Sequence, residues 1–179
     1  MAKLFPKLVS FLAVLLLCQF GYVACQSTNP SDRNATLPED EATALDDLMT
    51  TLGGDLLLSS PCDNNYQGIN CNCSYHNNSV CHVTGLDLGF NELIGQLPPE
   101  LGRLESLNYL DLSFNSLTGG IPDSVKNLNL TKMFLTRNML DGTVPAWLPH
   151  TIEHEADLSY NNFEIPRDDP KKGEGKLNM

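Results

Sequence analysis

The chain has 179 residues, enough for one domain with an appendage. Its 11 Lys and Arg stand against 22 Asp and Glu, a formal net charge of -11. That balance excludes nucleic acid and anionic membrane as partners, because both demand a basic footprint.

Residues 1–25 read as a secretory signal peptide. Lys3 and Lys7 precede an apolar run from Leu8 to Leu17, and Val23-Ala24-Cys25 offers a cleavage site before Gln26. The run is too short to span a bilayer. Removal of this segment discards Cys18 and Cys25 and leaves Cys62, Cys71, Cys73 and Cys81. Four cysteines in an oxidising compartment predict two disulfides. Asn-x-Ser/Thr acceptors at Asn34, Asn72, Asn77 and Asn129 fit N-glycosylation in the same compartment. The richest later apolar stretch, Leu45 to Leu58, is interrupted by Asp46, Asp47, Gly53, Gly54 and Asp55, so no membrane insertion is expected after signal removal. The expected destination is extracellular.

Residues 26–36, rich in Ser, Thr, Asn and Asp, are expected to be a flexible arm. Residues 37–82 form the expected N-terminal cap. Pro38 suits the first turn of a helix, and Glu39, Asp40 and Glu41 favour its positive dipole end. Ala42, Leu45, Leu48, Met49 and Leu52 recur at helical spacing before Gly53-Gly54 stops the helix. Among the cap cysteines, Cys71 and Cys73 are poorly placed to bond each other, since alternate Cα atoms of an extended chain stand roughly 6.5–7 Å apart. The favoured pairing is Cys62–Cys71 with Cys73–Cys81. Cys62–Cys73 with Cys71–Cys81, and Cys62–Cys81 with the close pair, remain open. A zinc site built from these cysteines or from His76 and His82 lacks finger-type ligand spacing.

The main signal is a repeat. Asn91, Asn115, Asn138 and Asn161 lie 24, 23 and 23 residues apart. Apolar residues recur upstream of each (Leu86 and Leu88, Leu110 and Leu112, Met133 and Leu135, Ala156 and Leu158), and Leu93, Leu117, Leu140 and Phe163 follow. Gly95, Gly119 and Gly142, then Pro98, Pro122 and Pro145, keep the same phase. The period is that of leucine-rich repeats. In Leu86-Asp87-Leu88 and Leu110-Asp111-Leu112, alternation points leucines inward and aspartates outward from a short strand, and stacked copies pair as a parallel sheet. Each asparagine amide is placed to bond backbone groups of neighbouring copies. The expected fold is an α/β repeat, a short solenoid with a parallel β-sheet on its concave face and a disulfide-bonded helical cap at its N-terminal end. The repeats are read at 83–106, 107–129 and 130–152, with a degenerate fourth at 153–166 that has Glu153 in its first apolar slot and Ala156 in place of leucine. Its end is expected to fray. Residues 167–179 are expected to be a disordered charged tail.

The outward strand positions form columns across the four copies: Gly85, Tyr109, Lys132 and Glu155; Asp87, Asp111, Phe134 and Asp157; Gly89, Ser113, Thr136 and Ser159; Phe90, Phe114, Arg137 and Tyr160. Exposed aromatics beside arginine have the composition of binding hot spots. Tyr109, Asp111, Lys132, Phe134, Arg137 and Tyr160 are therefore the candidate ligand-binding residues. The bland reading is that Asp, Ser and the aromatics merely suit the strand, but Phe134 and Arg137 break the pattern. Glu153, Glu155 and Asp157 lie on the degenerate copy without an evident pocket, and His150 and His154 lack a helix to carry them, so no catalytic, cofactor or metal site is assigned.

Leu110-Asp111-Leu112-Ser113-Phe114-Asn115-Ser116-Leu117-Thr118-Gly119-Gly120-Ile121-Pro122 resembles the plant-specific class of leucine-rich repeat. That resemblance implies a right-handed superhelix whose Gly-x-Ile-Pro limb adds a second small sheet. The cap, with Pro61-Cys62, Asn70-Cys71-Asn72-Cys73-Ser74 and Asn77-Asn78-Ser79-Val80-Cys81-His82-Val83, resembles that of plant receptor-like serine/threonine kinases of the subclass with a malectin-like domain. Leu135 to Pro145 and Asp157 to Phe163 resemble the last repeats of those ectodomains. The resemblance spans roughly residues 38–165 and implies a truncated N-terminal ectodomain portion, because no Gly-rich phosphate loop, His-Arg-Asp or Asp-Phe-Gly element is present. The function it implies is non-catalytic recognition of an extracellular protein, peptide or glycan in cell-surface signalling, with a full-length receptor kinase as co-receptor. The alternatives are a secreted inhibitor of pathogen cell-wall-degrading enzymes, or a truncated gene product without independent function.

Overall fold

The computed structural model describes residues 35–53, 61–62, 68–164 and 177–178. The expected signal peptide, Asn34 and most of the expected arm and tail lie outside the described residues. Helix α1 spans Glu39–Thr51, opened by Pro38 at φ -53° and ψ 145°. A fixed proline φ and three acidic residues at the positive end of the helix explain why it begins there. Its buried stripe is Glu41, Ala44, Leu45, Leu48, Met49 and Leu52. Ala42 is exposed, so the apolar face is rotated from the expected one, and the first residue of the stripe is a carboxylate.

The cap also contains a strand that the helical expectation missed. Strand β1, Ile69–Tyr75, pairs antiparallel with β2, Val80–Asp87. Their connecting turn carries three consecutive left-handed residues, His76, Asn77 and Asn78, and asparagine tolerates that region better than most residues. The disulfides are Cys62–Cys71 and Cys73–Cys81. Thr36, the last residue of the expected arm, is not loose. Its amide donates to the Ser79 carbonyl at 3.1 Å and its carbonyl accepts from the Cys81 amide at 3.0 Å.

From β2 the chain advances by stacking. β2, β4 (Tyr109–Asp111), β6 (Lys132–Phe134) and β8 (Glu155–Asp157) pair in parallel, with Asp87 beside Asp111, Asp111 beside Phe134, and Phe134 beside Asp157. β3 (Ile94–Gln96), β5 (Ser116–Gly119) and β7 (Met139–Leu140) make a second, three-stranded sheet. Short 3-10 helices, Pro99–Arg103 and Asp123–Asn127, form the return limbs of the first two copies, and a four-residue α2, Leu148–Thr151, serves the third.

One apolar core runs from α1 to the fourth copy, through Leu45, Leu86, Leu110, Met133 and Ala156. Each leucine fully withdrawn from water in this stack contributes about 1.5–3 kcal/mol before conformational entropy is set against it. Gly95 shows how closely α1 sits on the first copy. It adopts φ +86°, and a Cβ there would lie 2.7 Å from the Thr51 carbonyl oxygen.

The asparagines form the expected ladder. Asn115 Oδ1 accepts from the amides of Asn91 at 3.1 Å and Leu93 at 2.9 Å, while its Nδ2 donates to the carbonyls of Leu88 and Leu112. Asn138 accepts from the Leu117 amide at 3.0 Å and donates to Leu112 and Leu135. Asn161 does the same for Leu140, Leu135 and Leu158.

The fourth copy is better formed than its sequence suggests. Ile152, one residue ahead of the expected slot at Glu153, is the residue that caps α2 and is buried in the core, while Glu153 is exposed. Ala156 and Leu158 are buried behind a strand in full register with β6. The tail also departs from expectation. Leu177–Asn178 forms β9, whose backbone pairs in parallel with β8. Sheet edges left unpaired are exposed to association, and this pairing covers one.

Candidate functional site

The parallel sheet holds the outward columns at inter-strand spacing, so side chains distant in sequence become neighbours. Tyr109 and Phe134 meet edge to face with centroids 6.0 Å apart. Lys132 Nζ lies 3.9 Å from Glu155 Oε2. Both groups are about half exposed, so this ion pair adds little to stability. Its consequence is local neutralisation of Lys132.

The aspartates have work inside the fold. Asp111 Oδ1 accepts from the Ser113 amide at 2.9 Å and from the Ser113 hydroxyl at 2.6 Å, and Asp157 Oδ1 accepts from the Ser159 amide at 2.9 Å. Each Asp-x-Ser closes the turn that ends its strand. Phe134 cannot do so. In that copy Thr136 instead meets the Ser159 hydroxyl at 2.9 Å. Partial burial, then the charges of Asp111 and Asp87 and the hydrogen bond to Asp111, push the Tyr109 phenol above its ordinary range.

A second group lies three residues beyond each strand. Phe90, Phe114, Arg137 and Tyr160 all adopt the left-handed backbone conformation, at φ 59°, 55°, 57° and 57°. The turn requires it, since the amides of Phe90, Phe114 and Arg137 donate to the carbonyls of Ser113, Thr136 and Ser159 at about the same distance, 2.9–3.0 Å. For residues other than glycine this conformation costs roughly 1–2 kcal/mol each. The side chains stack along the solenoid. Phe90 and Phe114 rings lie 4.0 Å apart and nearly parallel, and the Arg137 guanidinium carbon stands 5.3 Å from the Phe114 centroid and 4.5 Å from that of Tyr160. Phe90 is 72% exposed, Phe114 40% and Tyr160 70%. Of the six candidate residues, the structure joins Tyr109, Asp111 and Phe134 in one cluster, Arg137 and Tyr160 in this stripe, and Lys132 with Glu155. Sequence reading had Phe90 and Phe114 in the right column but did not single them out; their alternation with Arg137 and Tyr160 at the repeat period was the available signal.

Among the described residues, the one fully buried charged side chain lies in the cap. Glu41, 3% exposed, accepts from the Val83 amide at 2.8 Å, and its second oxygen lies 2.5 Å from His82 Nδ1. The Tyr75 ring stands edge-on to His82 at 4.6 Å. This bond ties α1 to β2. Among the described residues, no cluster of three or more His, Cys, Asp or Glu is arranged to hold a metal, and no helix is long and apolar enough to cross a membrane.

Comparison with known proteins agrees with this geometry. Residues 82–104 and 106–128 match the Leucine Rich Repeat family model. Two Arabidopsis thaliana proteins, each named as a probable LRR receptor-like serine/threonine-protein kinase, are similar. One is 34% identical over 92 residues, 41% of this chain and 9% of its own length. The other is 30% identical over 126 residues, 60% of this chain and 12% of its own length. The chain thus spans about a tenth of the length of the curated relatives it matches. Among solved structures, the LRR ectodomain of the receptor kinase SOBIR1 from Arabidopsis thaliana superposes with a TM-score of 0.61 at 26% identity, covering 72% of this chain and 71% of that one. The BIR2 ectodomain from the same plant gives 0.57 at 30% identity, covering 72% of each chain. The Arabidopsis receptor kinase HAESA, solved with the peptide hormone IDA and the co-receptor SERK1, gives 0.54 at 26% identity over 72% of this chain and 23% of that one. The chain is a leucine-rich-repeat protein, homologous to plant LRR receptor-like kinases and folded as their LRR ectodomains are.

Proposed function

We propose that the chain is a non-catalytic extracellular recognition module that binds a peptide or protein through the outward face of its parallel sheet and acts with a receptor kinase at the plant cell surface. The observation that carries the reading is the break in the repeat consensus on that face. Where copies one, two and four present Asp87, Asp111 and Asp157, the third presents Phe134, and Arg137 replaces an aromatic three residues later. Structural duty explains Asp111 and Asp157, which close their turns, but not Phe134 or Arg137. Aromatic and arginine side chains are the commonest binding anchors. The peptide and co-receptor in the HAESA structure support the same class of partner for a homologous fold. Within the family, the spacing of the cap cysteines supports the subclass with a malectin-like domain.

The signal-like segment at residues 1–25 and the acceptors at Asn72, Asn77 and Asn129, all exposed, support secretion and glycosylation. The test is affinity capture from plant plasma-membrane extract on the immobilised secreted chain. Wild type is expected to retain LRR receptor proteins, and the double variant Phe134→Ala with Arg137→Ala to lose them while being secreted at the normal level. Equal capture by both forms removes the face from the mechanism.

A further inference from the structure

Two rims bound the sheet, and they differ chemically. The three described acceptors lie toward the starts of the parallel strands. Asn129 precedes Lys132 by three residues, Asn72 pairs with His82 early in β2, and Asn77 sits in the turn that precedes Val80. The stripe of Phe90, Phe114, Arg137 and Tyr160 lies beyond the opposite strand ends.

The stripe's composition is not explained by the fold. The turn requires a left-handed residue, and asparagine or glycine would meet that requirement with less strain. Four bulky side chains stand there instead. Their stacking uses up the inner ring faces, since Phe114 has Phe90 on one side and Arg137 on the other. What remains outward is ring edges, the outer faces of Phe90 and Tyr160, and the guanidinium in their midst. Apolar rings flanking a cation suit a protein segment that offers apolar and acidic side chains together.

Charge narrows the partner further. Among the described residues no carboxylate pairs with Arg137, whereas Lys132 is neutralised by Glu155. The molecule carries a net charge of -11, so a guanidinium held between two rings with no carboxylate beside it among the described residues is a local exception. Held flat by its neighbours, it keeps its in-plane N–H donors for an incoming carboxylate.

We propose that the Phe90–Phe114–Arg137–Tyr160 stripe is the anchoring surface for an extended protein segment that presents Asp or Glu beside apolar side chains, with glycans confined to the opposite rim. This rests on the recognition reading above and names the part of the face that does the binding, together with the chemistry it reads.

The probe is a random-sequence peptide library displayed on phage, selected on the full secreted chain. Selected peptides are expected to carry Asp or Glu next to Leu, Ile, Met or Phe. Their affinity should fall about tenfold or more on Arg137→Gln, and likewise on Phe90→Asn combined with Tyr160→Asn. The asparagine variants should melt no lower than wild type, because asparagine tolerates the left-handed turn. Lys126→Ala, exposed on the return limb of the second copy, should leave the affinity unchanged. Phe114→Asn makes residues 114–116 an Asn-Asn-Ser acceptor, so protein made in plant cells should lose binding more severely than the same variant after enzymatic deglycosylation.

Peptides that survive the stripe variants yet are lost on Phe134→Ala overturn this proposal and leave recognition by the sheet standing. A selection that yields no binder, or binders insensitive to both sets of variants, overturns both. Asparagine variants that lose binding only because they unfold show the stripe to be structural, which also overturns it.

Discussion

Replacing Asn138 by alanine removes a junction between the second and third copies. Its side chain accepts from the Leu117 amide at 3.0 Å and donates to the carbonyls of Leu112 at 2.9 Å and Leu135 at 3.0 Å, all within the buried interior. At about 1 kcal/mol net for each hydrogen bond, with the Leu117 amide left buried and unpartnered, the loss comes to about 3–4 kcal/mol. That is a large share of the roughly 5–15 kcal/mol that holds a typical domain together. Asn91 provides the internal control. It occupies the same sequence position in the first copy, but its side chain is exposed and donates only to the Gly89 carbonyl of its own turn. Asn91→Ala should therefore change stability by about 0.5 kcal/mol or less. Asn161→Ala, at the less buried end of the ladder, should fall between the two. Urea titration followed by circular dichroism, with the slope checked for constancy, gives the three differences directly. Equal effects at Asn91 and Asn138, or a loss under about 1 kcal/mol at Asn138, would refute the inter-repeat ladder as a main source of stability.

Glu41→Ala should destabilise the cap by about 2–3 kcal/mol, since it orphans the buried Val83 amide and the His82 ring, whereas Glu41→Gln keeps an acceptor and should lose less. Equal thermal shifts for the two would argue that the carboxylate does no tethering. The Tyr109 phenol should titrate above its ordinary value of about 10, and Asp111→Asn or Asp87→Asn should lower it, as read from the tyrosine Cζ resonance. The folded value exceeds the unfolded one, so the stabilisation from neutral Tyr109 is complete below the unfolded value and disappears as pH rises through the folded value. No movement in either variant would remove the aspartates as a cause.

The repeat was legible because its physics is periodic. Leu86, Leu110 and Met133 must all face one interior, and Asn115 and Asn138 must all meet backbone at the same step, so a single alignment exposes both. What escaped was local and aperiodic. Glu41 was read as a charge at a helix start, although it lies three and four residues before Ala44 and Leu45 and so shares their buried face. Strand β1 was hidden by Asn70 and Asn72, a residue type depleted in strands, which the hairpin and the disulfides at Cys71 and Cys73 hold in place. Ile152 escaped because the third return limb ends in a short α-helix whose C-cap residue turns into the core while Glu153, in the expected backbone phase, faces out. On the outward face of the sheet, the columns could be read from sequence. The stacking of Phe90, Phe114, Arg137 and Tyr160 could not, since it depends on a backbone conformation that those residue types disfavour.

Hydroxyl-radical footprinting of the secreted chain, with and without the receptor protein it captures, reads the side chains on which recognition depends. Binding through the sheet predicts protection of Tyr109, Phe134 and Tyr160, with Met139 on the second sheet and Trp147 on the return limb oxidised at unchanged rates. Protection of Met139 and Trp147 with no change at Tyr109, Phe134 and Tyr160 would place the partner elsewhere and contradict the account.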